Sequence, residues 1–96
     1  MEALSIVNNT ERKQFQVEID GEIATLEYRF SEGVLVLMHT EVPEKLGGRG
    51  IGSALAAYAF DYAQKQGLRV KIYCPFVLAW LKKHPGAGAI VVGQEK

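Results

Sequence analysis

At 96 residues the chain suits a single domain near the lower end of the size range in which an ordinary hydrophobic core holds a fold unaided, with no room for a second. Its composition, 48% hydrophobic and 23% charged with one cysteine, is that of a soluble globular protein; it excludes an intramolecular disulfide, leaves Cys74 a free thiol, and offers no stretch near the roughly 20 apolar residues of a membrane span. The formal net charge of zero conceals an asymmetry: residues 1–48 carry nine acidic and four basic side chains, residues 49–96 two and seven, so the second half could receive a polyanion unless the two halves simply attract each other.

The opening "ALSIV" is a weak candidate for an edge strand. "QFQVEID" alternates strictly, with Phe15, Val17 and Ile19 on one side and Gln16, Glu18 and Asp20 on the other, which is the pattern of a half-buried strand. Asp20-Gly21 is a two-residue hairpin signal, and "EIATLEYRF" follows with Ala24, Leu26, Tyr28 and Phe30 on one face, so the two strands are expected to pair antiparallel. After a Ser-Glu-Gly turn at 31–33, "VLVLMHTEV" is apolar on both faces through Met38, which predicts a central strand covered on both sides. Over residues 51–66 the period becomes helical, through Ile51, Ala54, Leu55, Tyr58, Ala59 and Tyr62, and Gly67 supplies a left-handed stop. "LRVKIYC" reads as a short strand, Pro75 opens a second helix in which Phe76 and Trp80 share a core-facing side, and "GAGAIVV" reads as a possible last strand.

Between the third hairpin strand and the first helix lies "EVPEKLGGRGIG", with four glycines from Gly47 to Gly52. A helix N-terminus leaves backbone N–H groups unpartnered and carries partial positive charge, and glycines just upstream let a phosphate approach them. The loop lacks the Gly-Lys-Ser/Thr ending of a P-loop. It also lacks the third glycine of a dinucleotide-binding turn, since Ser53 follows Gly48-x-Gly50 at that place and Leu55 follows Gly50-x-Gly52.

Strand, "LGGRGIGSAL" and alanine-rich helix together resemble the acetyl-coenzyme A pyrophosphate loop of the GNAT N-acetyltransferase superfamily, Gln/Arg-x-x-Gly-x-Gly/Ala. Gly50 and Gly52 match its glycines. Its leading Gln or Arg falls on Gly47, a departure that leaves the backbone donors from Gly48 to Ser53 in place and Arg49 to supply charge. "MHTEVPEKLGGRGIG" and "IYCPFVLAWLKKHP" are similar to the small, single-domain branch, in which His-Thr-x-Val leads into the loop and a Cys-Pro pair follows the next strand; the likeness runs from about Ala24 to Pro85. It implies an α+β domain over residues 1–96, with a mostly antiparallel sheet that splays where the strand ending at Val42 meets the strand ending at Cys74, and with helices packed on it. Pantetheine would lie in the opening against the backbone of Thr40, Glu41 and Val42. Pyrophosphate would lie on Gly47, Gly48, Arg49, Gly50, Ile51, Gly52 and Ser53, with Cys74, Pro75 and Phe76 as further contacts of acetyl-CoA and no metal.

Acetyl transfer to an amine needs a deprotonated nucleophile, stabilisation of a developing oxyanion and a proton for the departing thiolate. The candidates near the splay are His39, Glu41, Tyr73 and Cys74. A histidine titrates in the right range for a general base, although a histidine alternating in an apolar strand is also the pattern of a buried hydrogen-bonding residue. Cys74 precedes Pro75, so its thiol is expected at a helix N-cap, where it could carry an acyl group, donate a proton, line the channel or be inert. Tyr73 should point to the opposite face and pack there. Lys82 and Lys83 read as a solvated face or as partners of the 3′-phosphate of coenzyme A, and Glu41 and Glu44 could greet a cationic amine.

The resulting expectation is a cytoplasmic acyltransferase, an N-acetyltransferase whose amine acceptor is a small molecule or a protein amine, acting by direct attack or through Cys74 and His39. It would be a monomer or weak dimer without nucleic-acid or membrane partners. The rival readings are an acyl-CoA binding or sensing module without catalysis, and a nucleic-acid binder. The second is opposed by the lack of interleaved aromatic and basic residues.

Overall fold

The computed structural model describes residues 4–93. Alternation becomes geometry first in the two hairpins. Strands β2 (Gln14–Ile19) and β3 (Glu22–Ser31) pair antiparallel with Ile19 opposite Glu22, joined by Asp20 and Gly21, both at positive φ, as a tight hairpin turn requires. Glu32 and Gly33 repeat the device between β3 and β4 (Val34–Glu41), with Ser31 opposite Val34. Strand β1 (Val7–Asn9) adds to the outer edge of β2. It starts later than "ALSIV" predicts, because the turn over residues 10–13 sets Asn9 opposite Gln14; Leu4 and Ile6 pack against the core instead, and Ala3 lies outside the described residues.

Helix α1 (Ile51–Lys65) then crosses to β5 (Arg69–Ile72), which pairs parallel with β4, giving the sheet order β1-β2-β3-β4-β5. The helix ends as the glycine predicts: Gly67 is left-handed, Leu68 N–H bonds the Ala63 carbonyl and Gly67 N–H the Gln64 carbonyl, satisfying carbonyls that the helix leaves open. Helix α2 (Pro75–Lys83) follows. "GAGAIVV" is not a strand: residues Pro85–Ile90 coil into a 3-10 helix, and only Val91 bridges to Val70. Pro85 at the first turn presets helical φ.

Both helices lie on one face of the sheet. Phe15, Val17, Ala24, Leu26, Tyr28, Leu35 and Leu37 meet α1 and α2 there, and Phe15 packs its ring 4.7 Å from Tyr28 and 5.4 Å from both Tyr58 and Tyr62. The buried stripe of α1 is rotated from the expected one. Ile51, Leu55 and Ala59 are buried as predicted, but Ala56, Phe60 and Ala63 join them while Ala54, Tyr58 and Tyr62 sit at the rim. The cause is α2, whose Trp80 lies 5.2 Å from Phe60 and draws that side of α1 inward.

The opposite face of the sheet bears out the expectation of a strand covered on both sides only at Val36, which is buried, and corrects it for the rest of that face. No helix packs there among the described residues, and Ile23, Met38 and Tyr73 are exposed. The architecture is therefore a mixed, mostly antiparallel α+β sheet with helices on one side.

A bulge and a divergence shape the end of β4. Glu27 faces His39 and Tyr28 faces Leu37, so Met38 is an extra residue on β4. Such a bulge shifts the face on which each later side chain lands. Pairing of β4 with β5 stops at Leu37 and Ile72, the last bond running from Tyr73 N–H to the Leu37 carbonyl at 2.9 Å. Beyond that point β4 continues to Glu41 paired to β3 alone, while the segment after β5 turns into α2.

Candidate functional site

At the end of β4 the chain passes a short 3-10 turn, Glu44–Leu46, whose Leu46 is buried and anchors the loop from beneath. Gly48 and Gly50 take left-handed φ of 78° and 75°, and Gly50 is the N-cap of α1. No side chain caps this helix and its first turn holds no acidic residue; the first backbone bond closes from Ala54 N–H to the Gly50 carbonyl. The N–H groups of Ile51, Gly52 and Ser53 thus lack a capping partner among the described residues and add to the positive end of the helix dipole.

These groups front a cleft of about 310 Å³ that also involves Val42, Gly47, Gly48, Gly50 and Phe76. Glycine at 52 has a different reason from glycine at 50. A Cβ there would stand 2.6 Å from Cζ of Phe76, so the absent side chain is what lets the ring of Phe76 lie over the first turn of α1. Phe76 is 43% exposed; it is a wall of this cleft and not the core residue that its spacing from Trp80 suggests. Trp80 alone of the pair is buried.

Arg49 is expected to supply charge, yet it does not line the cleft. Its guanidinium lies 3.8 Å from Asp20 in the β2–β3 turn, an exposed pair of the kind that contributes little.

The bulge distributes the remaining candidates. Leu37 and Thr40, three residues apart, both lie on the helix side, because Tyr28 and Leu26 oppose them; His39 and Glu41 lie on the open side, opposite Glu27 and Thr25. Thr40 Oγ1 and Cys74 Sγ are 3.1 Å apart, a hydrogen bond in which either is the donor, across the gap where β4 and β5 have parted. Cys74 is the N-cap of α2 and only 2% exposed. Its thiol is shut off from solvent by the helix and strand that meet there.

His39, in contrast, is exposed, which corrects the buried alternative; alternation from Leu37 would put it on the core side, and the extra residue Met38 turns it outward. Tyr73 does point to the face opposite Cys74 but does not pack into a core. It is exposed, with Lys71 Nζ 5.3 Å above its ring. Pro75 is exposed at the first turn of α2, and Glu44 is exposed in the turn before the loop. The structure thus gathers Val42 and the glycine loop with Phe76, joins Thr40 to Cys74, and sets His39, Glu41 and Tyr73 on the other face. Leu46 escaped the sequence reading, though a lone apolar residue within "PEKLGG" is a signal of an anchored loop.

The sequence over residues 14–90 matches the family described as GCN5-related N-acetyl-transferase. The chain belongs to the GCN5-related N-acetyltransferase family. It is similar to Protein NATD1 of Mus musculus, 31% identical over 85 residues that make up 85% of this chain and 77% of the relative. Protein NATD1 of Homo sapiens is likewise 31% identical, over 85% of this chain and 75% of the relative. Among solved structures, the solution structure of a GCN5-like protein from Staphylococcus aureus, provisionally assigned as an N-acetyltransferase, superimposes with a TM-score of 0.75. That likeness has 26% identity and covers 99% of this chain and 94% of the other.

Members of a GCN5-related N-acetyltransferase family are acyltransferases of acetyl-CoA in general terms, and the groove described above suits such a molecule. Uncapped N–H groups and two left-handed glycines stand together at the start of α1, and the β4 edge beyond Leu37 is unpaired to β5. The apolar walls Val42, Leu46 and Phe76 would border a chain running from one to the other.

Proposed function

We propose that the chain is an acetyl-CoA-dependent N-acetyltransferase whose acceptor is an amine. The observation that carries this reading is the uncapped α1 N-terminus, fronted by left-handed glycines and opening toward the parted ends of β4 and β5. Backbone N–H groups from Gly48 to Ser53 would hold the pyrophosphate, and the backbone of Thr40, Glu41 and Val42 would pair with pantetheine amides. Bound acetyl-CoA supplies an activated acetyl group; the remaining work falls to the chain.

His39 and Glu41, on the open face beside the splay, are the groups that could take a proton from an incoming ammonium. The part-buried Thr40–Cys74 bond holds β4 to the start of α2, and the burial of the Cys74 thiol favours direct attack by the amine over an acyl-cysteine. A second reading, acyl-CoA binding without transfer, draws support from the same observation, since neither Cys74 nor His39 lines the loop cleft.

Calorimetry with acetyl-CoA tests the site, comparing the native chain with Gly50→Glu, which sets a carboxylate at the helix N-terminus where the anion would sit. Circular dichroism verifies the fold of the variant. Binding by the native chain and its loss in the variant is the expected result; no binding by the native chain would remove the reading. Release of free thiol in the presence of polyamines or lysine peptides separates transfer from mere binding, and mass spectrometry is expected to find Cys74 unacetylated.

A further inference from the structure

The open face of the sheet carries a trough larger than the loop cleft. Along β4 and β5 the side chains that alternate with buried Leu35, Leu37, Val70 and Ile72 are Val34, Val36, Lys71 and Tyr73, so all four point away from the helices. They floor and wall a cavity of about 500 Å³, bordered by Val92 and by the β3–β4 turn. Val36 is buried there although no helix covers it among the described residues, because Arg29 and Lys71 flank it in register on the two neighbouring strands.

Charge is ordered along this trough. At one end stands Tyr73, whose N–H makes the last bond between β4 and β5, so that end adjoins the splay. Lys71 comes next. Its ammonium lies 5.3 Å from the centre of the Tyr73 ring, and its stem runs beside Gly93, where a Cβ would stand 3.3 Å from Cε and Nζ. Lys71 forms no ion pair among the described residues. Val34, Val36 and Val92 supply an apolar stretch, and Ser31 and Glu32 end it with a hydroxyl and a carboxylate. From Tyr73 to Arg69, the partner of Val34, four residues of strand advance about 13 Å, the span of a short extended molecule.

A molecule laid in the trough with an amine at the splay would set an anionic group against Lys71, an aliphatic body against the valines and a positive end against Ser31 and Glu32. That order of groups is the order in a basic amino acid: α-amine, carboxylate on the same carbon, then a side chain leading away to a cation. An amine without the carboxylate would leave the Lys71 ammonium unmatched beside an apolar floor, and a purely aliphatic side chain would do the same to Glu32.

We propose that this trough is the acceptor site and that the acceptor is a free amino acid with a long, positively ended side chain, acetylated on its α-amine. Lys71 holds the carboxylate and Glu32 the side-chain cation. The inference rests on the proposed acetyl-CoA reading and names the class of amine which that reading leaves open. In the reaction the α-ammonium loses one proton to His39 or to solvent, and its nitrogen pair forms the N–C bond to the acetyl carbon. The C–S bond breaks with its pair on sulfur, and a second proton from nitrogen ends on the thiolate.

Release of free thiol by the full chain at saturating acetyl-CoA tests it, with L-arginine, with L-argininamide, which lacks the carboxylate, and with L-norleucine, which lacks the cation. Calorimetry with acetyl-CoA and circular dichroism accompany each variant. Arginine is expected to exceed each of the other two in kcat/KM by about fivefold, the upper end of what a partly exposed ion pair contributes. The amide also has a less basic amine, so its ratio to arginine is compared between native protein and variants. Lys71→Met should erase the preference over argininamide, Lys71→Arg should restore it, and Glu32→Gln should erase the preference over norleucine. Arginine should also shift the Tyr73 ring resonances in NMR spectra. Acetyl-CoA binding without turnover of arginine, a ratio that Lys71→Met leaves as it was, or norleucine matching arginine would overturn the proposed acceptor and leave the cofactor reading standing. Failure of native protein to bind acetyl-CoA would overturn both.

Discussion

Tyr28 shows how one side chain can tie the outer strands to the core and give stability a pH limit. It is 1% exposed, its ring packs against Phe15, and its hydroxyl donates to Asn8 Oδ1 on β1. Burial, the largest effect, pushes its phenol above the ordinary 10.0, against an opposing effect of the Asn8 bond and with a lesser upward push from Tyr62. The folded chain therefore holds this proton more tightly than the unfolded chain. Above about pH 10 the unfolded state loses the proton first, so the contribution of Tyr28 is complete below that pH and declines as pH rises through the raised value. Urea denaturation between pH 7 and 11 is expected to show an alkaline loss of stability that is reduced in Tyr28→Phe. At neutral pH the same variant should cost about 0.5–1.5 kcal/mol, the usual net worth of one hydrogen bond. An identical alkaline slope in both proteins would assign the loss to other groups, such as the lysines.

At the scale of elements, the junction of loop and helix depends on two glycines for different reasons, and alanine separates them. Gly50→Ala must hold a left-handed φ of 75°, at about 1–2 kcal/mol. Gly52→Ala sits within the helix, where alanine is favoured by up to about 1 kcal/mol, but its Cβ must displace the half-exposed Phe76 ring. Denaturation is expected to find Gly50→Ala destabilised and Gly52→Ala close to native, while only Gly52→Ala moves the Phe76 ring resonances in NMR spectra and, through that ring, weakens acetyl-CoA. Greater destabilisation by Gly52→Ala would mean that the ring is fixed and the assignment wrong. What was legible in the sequence at this scale was what local chemistry determines: the alternation of β2 and β3, the Asp20-Gly21 turn, the Gly67 stop and the glycine loop itself. What was not legible depends on partners distant in the chain. The Met38 bulge exists only in the pairing of β4 with β3, yet it decides that Thr40 meets Cys74 and that His39 faces outward. Likewise Arg49 finds Asp20 only because the β2–β3 turn folds beside the loop, and the face of α1 was turned by Trp80 of a later helix.

For the molecule as a whole, one sheet separates two environments. The helix side carries the glycine loop and its cleft, whereas the open side presents Glu27, His39 and Glu41 in neighbouring register rows close to where β4 and β5 part. A cofactor held on the helix side would leave the open side for the acceptor. The charge asymmetry of the sequence does not map simply onto these two sides, since Arg49 pairs with Asp20 and Lys71 lies over Tyr73 on the open face, but Glu27 and Glu41 on the open side would suit a cationic amine. Substituting Glu27→Gln and Glu41→Gln together should then raise KM for a cationic amine several-fold, since each carboxylate contributes a screened surface attraction of about 0.2–1 kcal/mol. Turnover at saturating amine and the affinity for acetyl-CoA should change little, and the effect on KM should shrink as salt rises. Steady-state kinetics at two ionic strengths decides the matter. An unchanged KM would place the acceptor elsewhere, and an equal loss of acetyl-CoA affinity would mean that the carboxylates act on the fold of β4 and not on the amine.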